Sequence, residues 1–114
     1  MGLAVKNNID PTDAINFMIK NSEAYALAKA QVVYLTEYRK TVKSQGILRS
    51  LKTTVVEKEA DAYTTVEYKT CVEGLKEAVA EAERLRWMLV AAQARVDVYR
   101  TQEASNRNID RNTQ

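Results

Sequence analysis

The strongest constraint in this 114-residue chain is a run of nine positions between Cys71 and Tyr99. Cys71, Leu75, Ala78, Ala82, Leu85, Leu89, Ala92, Val96 and Tyr99 follow one another at alternating spacings of 4 and 3, and each is apolar or a tyrosine. An α-helix brings a side chain back to the same face every 3.6 residues or so. A 3.5-residue repeat sustained over four heptads therefore marks a helix lying along another in a left-handed supercoil. The seam predicts one uninterrupted helix from about Thr65 to Ser105, roughly 60 Å long at 1.5 Å per residue. Val72, Val79 and Met88 broaden its apolar face beyond a two-stranded seam, which implies more than one packing partner. The seam alanines imply close helix approach.

The rest of the chain reads as helical too. Beyond Thr12 its only glycines are Gly46 and Gly74, and its one proline is Pro11. An all-β chain needs turn residues every eight to twelve positions, so the fold class is all-α. Asp10-Pro11-Thr12-Asp13 opens a helix: Asp10 can cap, Pro11 suits the first helical position, and Asp13 favours the positive dipole end. Ile15, Met18 and Ile19 give this helix an apolar face, and Asn21-Ser22 is expected to end it and cap the next. A second, long helix is expected from about Ser22 to Leu51. In it Ala28, Leu35 and Val42 repeat every seven residues, with Ala24, Val32 and Tyr38 widening the stripe. Gly46 inside it costs about 1 kcal/mol relative to alanine. Leu48, Leu51 and Val55 keep the helical spacing. Thr54-Val55-Val56-Glu57 and Thr64-Thr65-Val66-Glu67 both fit a capping box. They predict breaks near Thr53-Thr54 and Tyr63-Thr64, with a short helix between.

The expected architecture is a short N-terminal helix plus a long antiparallel, coiled-coil-like helical hairpin that assembles into a helical bundle. Residues 1–9 are expected to be a flexible N-terminus, 10–105 a single helical domain, and 106–114 a polar tail that frays.

Composition excludes most catalysis. The chain has no histidine, so neither the commonest general base near pH 7 nor a Cys–His nucleophile pair can be built. No two glycines are closer than 28 residues, so there is no phosphate-cradling loop. A lone cysteine without histidine forms neither an internal disulfide nor a zinc site. Cys71 reads as a small apolar seam residue. Glu73, Glu77 and Glu81 share one helix face and could hold a hard cation. They also look like any solvated flank, with Lys69, Lys76 and Arg84 competing for them. No catalytic residue, cofactor or metal is expected. The longest apolar run, Trp87 to Ala92, is far shorter than a membrane span. Residues 1–5 lead straight into Lys6-Asn7, so no secretory signal is read, and Lys6 spoils a myristoylation match. A reducing cytoplasm is the expected location.

The formal charge of +2 hides segregation. Residues 39–52 carry Arg39, Lys40, Lys43, Arg49 and Lys52 with no acid; residues 57–83 carry eight acids against three bases; residues 84–114 carry six arginines against three acids. One reading is salt-dependent contact with nucleic-acid phosphates through Arg39, Lys40, Lys43, Arg95, Arg100 and Arg107, with Tyr34, Tyr38 and Tyr99 as stacking platforms. The other is intramolecular: opposite charges face each other along the rims of the hairpin, and the arginines sit at a solvated helix end. Trp87 lies off the tight seam. It reads first as ordinary packing and, if exposed, as an interface anchor.

Tyr38-Arg39-Lys40, Ala62-Tyr63, Leu85-Arg86-Trp87, Ala91-Ala92-Gln93-Ala94-Arg95 and the stretch Arg100 to Arg107 together resemble a group of small uncharacterised proteins encoded in the early region of tailed bacteriophages and prophages. The likeness spans residues 35–108 or so and carries no catalytic residue with it. It implies a viral protein in the cytoplasm of a bacterial host, near recombination or replication. The expected function is a non-enzymatic interaction or adaptor protein that self-associates, most simply as a dimer, and binds a host or phage protein. An accessory protein on single- or double-stranded DNA is the second reading, and a structural component of the virus particle the third. No membrane partner is expected.

Overall fold

In a computed structural model, residues 10–113 are described. They form three helices, α1 (Pro11–Arg49), α2 (Val55–Tyr63) and α3 (Val66–Thr113), and no strand among the described residues. The expected all-α hairpin is the architecture observed, with α1 and α3 paired and α2 at the turn. The chain divides into two compact units. One is Tyr25–Arg84. The other joins the flanking segments, described over residues 10–24 and 85–113. The expectation about residues 1–9 lies outside the described residues.

Capping explains most boundaries. The Thr12 N–H donates to Asp10 Oδ1 at 2.9 Å, so Asp10 caps α1 as its sequence position suggests. Thr54 caps α2: the Glu57 N–H donates to Thr54 Oγ1 at 3.2 Å, and that hydroxyl donates to Glu57 Oε1 at 2.8 Å. The second box is shifted by one residue. Thr64 closes α2, its hydroxyl donating to the Asp61 carbonyl, and Thr65 caps α3 by accepting from the Tyr68 N–H at 3.1 Å. Glu67 is thereby released from capping, and its Oε2 meets Arg49 Nη1 of α1 at 4.0 Å.

Three expectations about helix extent are corrected. No break occurs at Asn21-Ser22. The Asn21 amide donates to the Phe17 carbonyl at 2.9 Å and the Ser22 hydroxyl to the Ile19 carbonyl at 3.0 Å, so both bond back into the preceding turn instead of capping a new one. The short N-terminal helix is therefore the first part of α1. Helix α1 stops at Arg49 rather than Leu51, where the Ser50 hydroxyl donates to Asp61 Oδ2 of α2 at 2.8 Å. Helix α3 runs on past Ser105 to Thr113, and residues 106–112 are exposed.

All nine seam residues of α3 face inward. In the 25–84 unit Cys71 and Ala82 are buried and Leu75 and Ala78 half-buried; in the other unit Leu85 and Ala92 are buried and Leu89, Val96 and Tyr99 half-buried. Helix α1 carries a matching stripe. Ala14, Met18, Asn21, Tyr25, Ala28, Val32, Leu35, Arg39, Val42 and Gly46 alternate at spacings of 4 and 3, and every one is buried or half-buried. Ala24 and Tyr38, expected on this stripe, are exposed, as are Ile15 and Ile19. Phe17 and Ala14 take the inward positions instead. Leu51, expected to continue the packed stripe, is 97% exposed.

Gly46 is where α2 docks. A Cβ built there would lie 2.9 Å from both Cα and Cβ of Ala62, the most deeply buried side chain described. Glycine is required by this close approach, not tolerated despite it. At Gly74 a Cβ would meet only Leu35 Cδ1, at an ordinary 3.9 Å. The two glycines should respond oppositely. Gly46→Ala should lower thermal stability by about 1–3 kcal/mol through overpacking against α2. Gly74→Ala should raise it by up to about 1 kcal/mol through helix propensity. Thermal unfolding followed by circular dichroism checks both.

Candidate functional site

The structure gathers some of the expected site residues and separates others. In the 25–84 unit, Arg39, Lys40 and Lys43 of α1 meet Tyr63 of α2 and Tyr68 of α3 around an open hollow of about 310 Å³. Arg39 occupies a seam position, is half-buried and lines the hollow. The α2 turn brings in the two tyrosines, whose rings stand edge to face with centroids 5.1 Å apart. Lys43 Nζ lies 4.8 Å from the Tyr63 ring centroid. Hydrogen bonding to the Tyr63 phenol holds the Lys43 ammonium above its ordinary pKa; burial opposes it, and weaker attraction from Tyr63, Glu59 and Tyr68 supports it. Lys40 pairs with Glu37 at 2.9 Å. Two sites of planar and charged chemistry thus converge: cations that suit phosphate and phenols that suit hydrogen bonding or stacking.

Arg95, Arg100 and Arg107 belong to the other unit. Arg100 Nη2 bonds Asp97 Oδ1 at 3.3 Å within α3. Arg107 is exposed on the extended C-terminal part of α3. Arg95 lines a second hollow, also about 310 Å³, with Asp13, Ala14, Phe17, Met88, Ala91 and Ala92. Tyr99 is half-buried on the seam, and its hydrogen bond to Glu103 keeps its phenol protonated above the usual pKa. Tyr34 and Tyr38 are exposed and stack on each other, centroids 5.7 Å apart and planes 11° off parallel.

Arg49–Glu67 is an interhelical contact of the kind the rim-pairing account of the charge segregation expects. Lys40–Glu37, Arg84–Glu81 and Arg100–Asp97 are pairs three residues apart on one helix. Glu81 is held below the usual carboxylate pKa by its hydrogen bond with Arg84. No group of three or more Cys, Asp or Glu side chains that could hold a metal is found among the described residues. Among them, no helix is long and apolar enough to cross a membrane.

A feature of a different kind is the apolar surface left outside. On α1, Ile19 is 69%, Leu27 65% and Val33 62% exposed; on α3, Trp87 is 58% exposed. Val72, Val79 and Met88, the residues that broaden the seam, are each about two-fifths exposed. Trp87 is therefore not a packing residue of the hairpin. Its ring carries the Arg86 guanidinium 4.7 Å from its centroid. Sequence reasoning located Trp87 correctly as off the seam. It missed Tyr63 and Tyr68 as hollow residues, because only the α2 docking geometry brings them beside Lys43.

No protein-family model, curated protein or solved structure matches the chain.

The phenol contact should be legible in solution. Lys43 should titrate above an ordinary lysine, and Tyr63→Phe should lower its pKa, as read by NMR of the lysine side chain. The sign of the linkage follows. A cationic group whose folded pKa is raised contributes its stabilisation in full below the unfolded pKa and loses it as pH rises through the folded value. The difference in stability between the native protein and Tyr63→Phe should shrink in that alkaline window and stay flat near neutrality.

Proposed function

We propose that the protein is a non-enzymatic interaction module: a helical hairpin that self-associates and presents its outer faces to a further protein. The observation that carries this reading is the set of bulky apolar side chains on the outward faces of α1 and α3, Ile19, Leu27, Val33 and Trp87 foremost. A helix that is polar on its outer face is finished when one side is packed. A helix with apolar residues on both sides calls for further cover. Leu48, Leu51, Val55 and Val56 add an exposed apolar cluster around the α1–α2 connection. The resemblance noted in the sequence adds a setting, a phage-encoded protein in the cytoplasm of a bacterial host.

The test is the mass in solution. Light scattering at tens of micromolar should give a multiple of the 12.9 kDa chain mass, most simply a dimer. A monomer mass across the accessible concentration range would remove the reading.

The hollow of Arg39, Lys40, Lys43, Tyr63 and Tyr68 favours a second reading, an accessory protein on DNA. Fluorescence anisotropy with labelled single- and double-stranded DNA should then show binding at low salt that falls steeply with salt. Binding should weaken further in Arg39→Ala and Lys43→Ala. No binding at low salt would eliminate this second reading and leave the first untouched.

A further inference from the structure

We infer that the hollow of Arg39, Lys40, Lys43, Tyr63 and Tyr68 binds one phosphate monoester dianion, held by the cations of α1 and the phenols of α2 and α3. The ligand is a single terminal phosphoryl group, carried by a small molecule or by the end of a strand. The site therefore stands independently of the DNA reading, which concerns a phosphodiester backbone.

Charge points to an anion. The described lining holds three cations and no carboxylate. Arg39 and Lys43 stand four residues apart on α1, a like-charge spacing that opposes the helix and that an anion between them relieves. Lys40 is already answered by Glu37 at 2.9 Å. Arg39 is not: it is half-buried and forms no hydrogen bond or ion pair among the described residues. Lys43 is held by a phenol rather than by a carboxylate salt bridge, with Glu59 attracting it only weakly. Two cations thus remain without a salt bridge. A phosphate monoester brings close to two negative charges near neutral pH, whereas a diester brings a single one.

The phenols supply direction. An ammonium has no lone pair, so Lys43 donates and the Tyr63 oxygen accepts. The Tyr63 O–H is thereby left to donate to a ligand. The Tyr68 hydroxyl has no hydrogen-bond partner among the described residues. The two rings stand edge to face, so both phenols serve the same hollow. Guanidinium, ammonium and phenol groups from three helices then converge as donors, and a phosphoryl group offers three oxygens that accept.

The extent of the hollow selects a single phosphoryl group. Neighbouring cations are engaged elsewhere: Arg49 meets Glu67 and Lys29 lies over the Tyr25 ring. A strand followed along its backbone needs cations at successive phosphates. A space of about 310 Å³ stands instead at the small end of ligand sites. It suits one phosphoryl group and part of what carries it.

The test is an NMR titration of the full chain in phosphate-free, low-salt buffer. The probes are adenosine 5′-monophosphate, adenosine, and one short single-stranded oligonucleotide with and without a 5′-phosphate. The monophosphate at millimolar concentration should shift side-chain signals of Arg39, Lys43, Tyr63 and Tyr68, and adenosine should not. Arg39→Gln and Lys43→Gln should each weaken the monophosphate about tenfold, the loss expected for one charge-assisted hydrogen bond. Arg100→Gln, whose arginine bonds Asp97 in the other unit, should leave it within twofold. Circular dichroism confirms that the variants keep their helix content, and the titration of the native chain depends on none of them. Tighter binding of the phosphorylated oligonucleotide than of the monophosphate assigns the site to strand ends, and the reverse assigns it to small esters; both uphold it. Binding of the monophosphate with no binding of either oligonucleotide upholds the site and removes the DNA reading. No shift in the hollow with the monophosphate, together with equal affinity of the two oligonucleotides, overturns the site, and the DNA reading then rests on whether the oligonucleotides bind at all. Binding of the monophosphate that Arg39→Gln and Lys43→Gln leave unchanged overturns it as well.

Discussion

Close approach of helix backbones through small side chains is the constraint on which the structure depends. Ala14, Ala82 and Ala92 are buried on the seams, Ala28 and Ala78 half-buried, and Gly46 lies directly against Ala62. Small residues bring helices together, which improves dispersion contact along the whole backbone. They also leave little volume for large side chains. Among the described residues no large side chain is fully buried. The bulk that a rounder protein would put inside therefore stays on the outside of α1 and α3.

That displacement links packing to function. The exposed tryptophan, leucine and valines follow from the same geometry that makes the seams narrow. The cationic hollow has a separate origin. It exists because α2 docks onto Gly46 and carries Tyr63 to Lys43, while Tyr68 of α3 and Arg39 of α1 complete the lining.

Much of the fold was legible in the sequence because α3 states its pattern without interruption. Its seam was identified residue by residue, as were the Asp10 and Thr54 caps. The α1 stripe was only half legible. Asn21, Arg39 and Gly46 occupy inward positions, and none of them reads as apolar. Asn21 satisfies its amide within the helix, Arg39 lines the hollow, and Gly46 offers space rather than surface. The misplaced inward faces at Ile15, Ile19 and Tyr38 follow from trusting side-chain hydrophobicity where register decided. Asn21-Ser22 looked like a stop because both residues favour caps, a preference that loses when the flanking turns are packed. The hollow was legible only as three cations on one helix. Nothing local in the sequence links position 43 to positions 63 and 68.

A thin core has a thermodynamic consequence. Hydrophobic stabilisation scales with apolar area removed from water, at about 25 cal/mol per Å². Alanine offers little such area, so each seam alanine returns little against the conformational entropy of ordering the chain. Any association through the outer faces would add to folding stability by mass action, since a partner that binds only the folded form raises the population of that form. Folding and docking would then be coupled through the same surface. The side chains that the seams cannot hold are the ones whose burial by a partner would stabilise the hairpin.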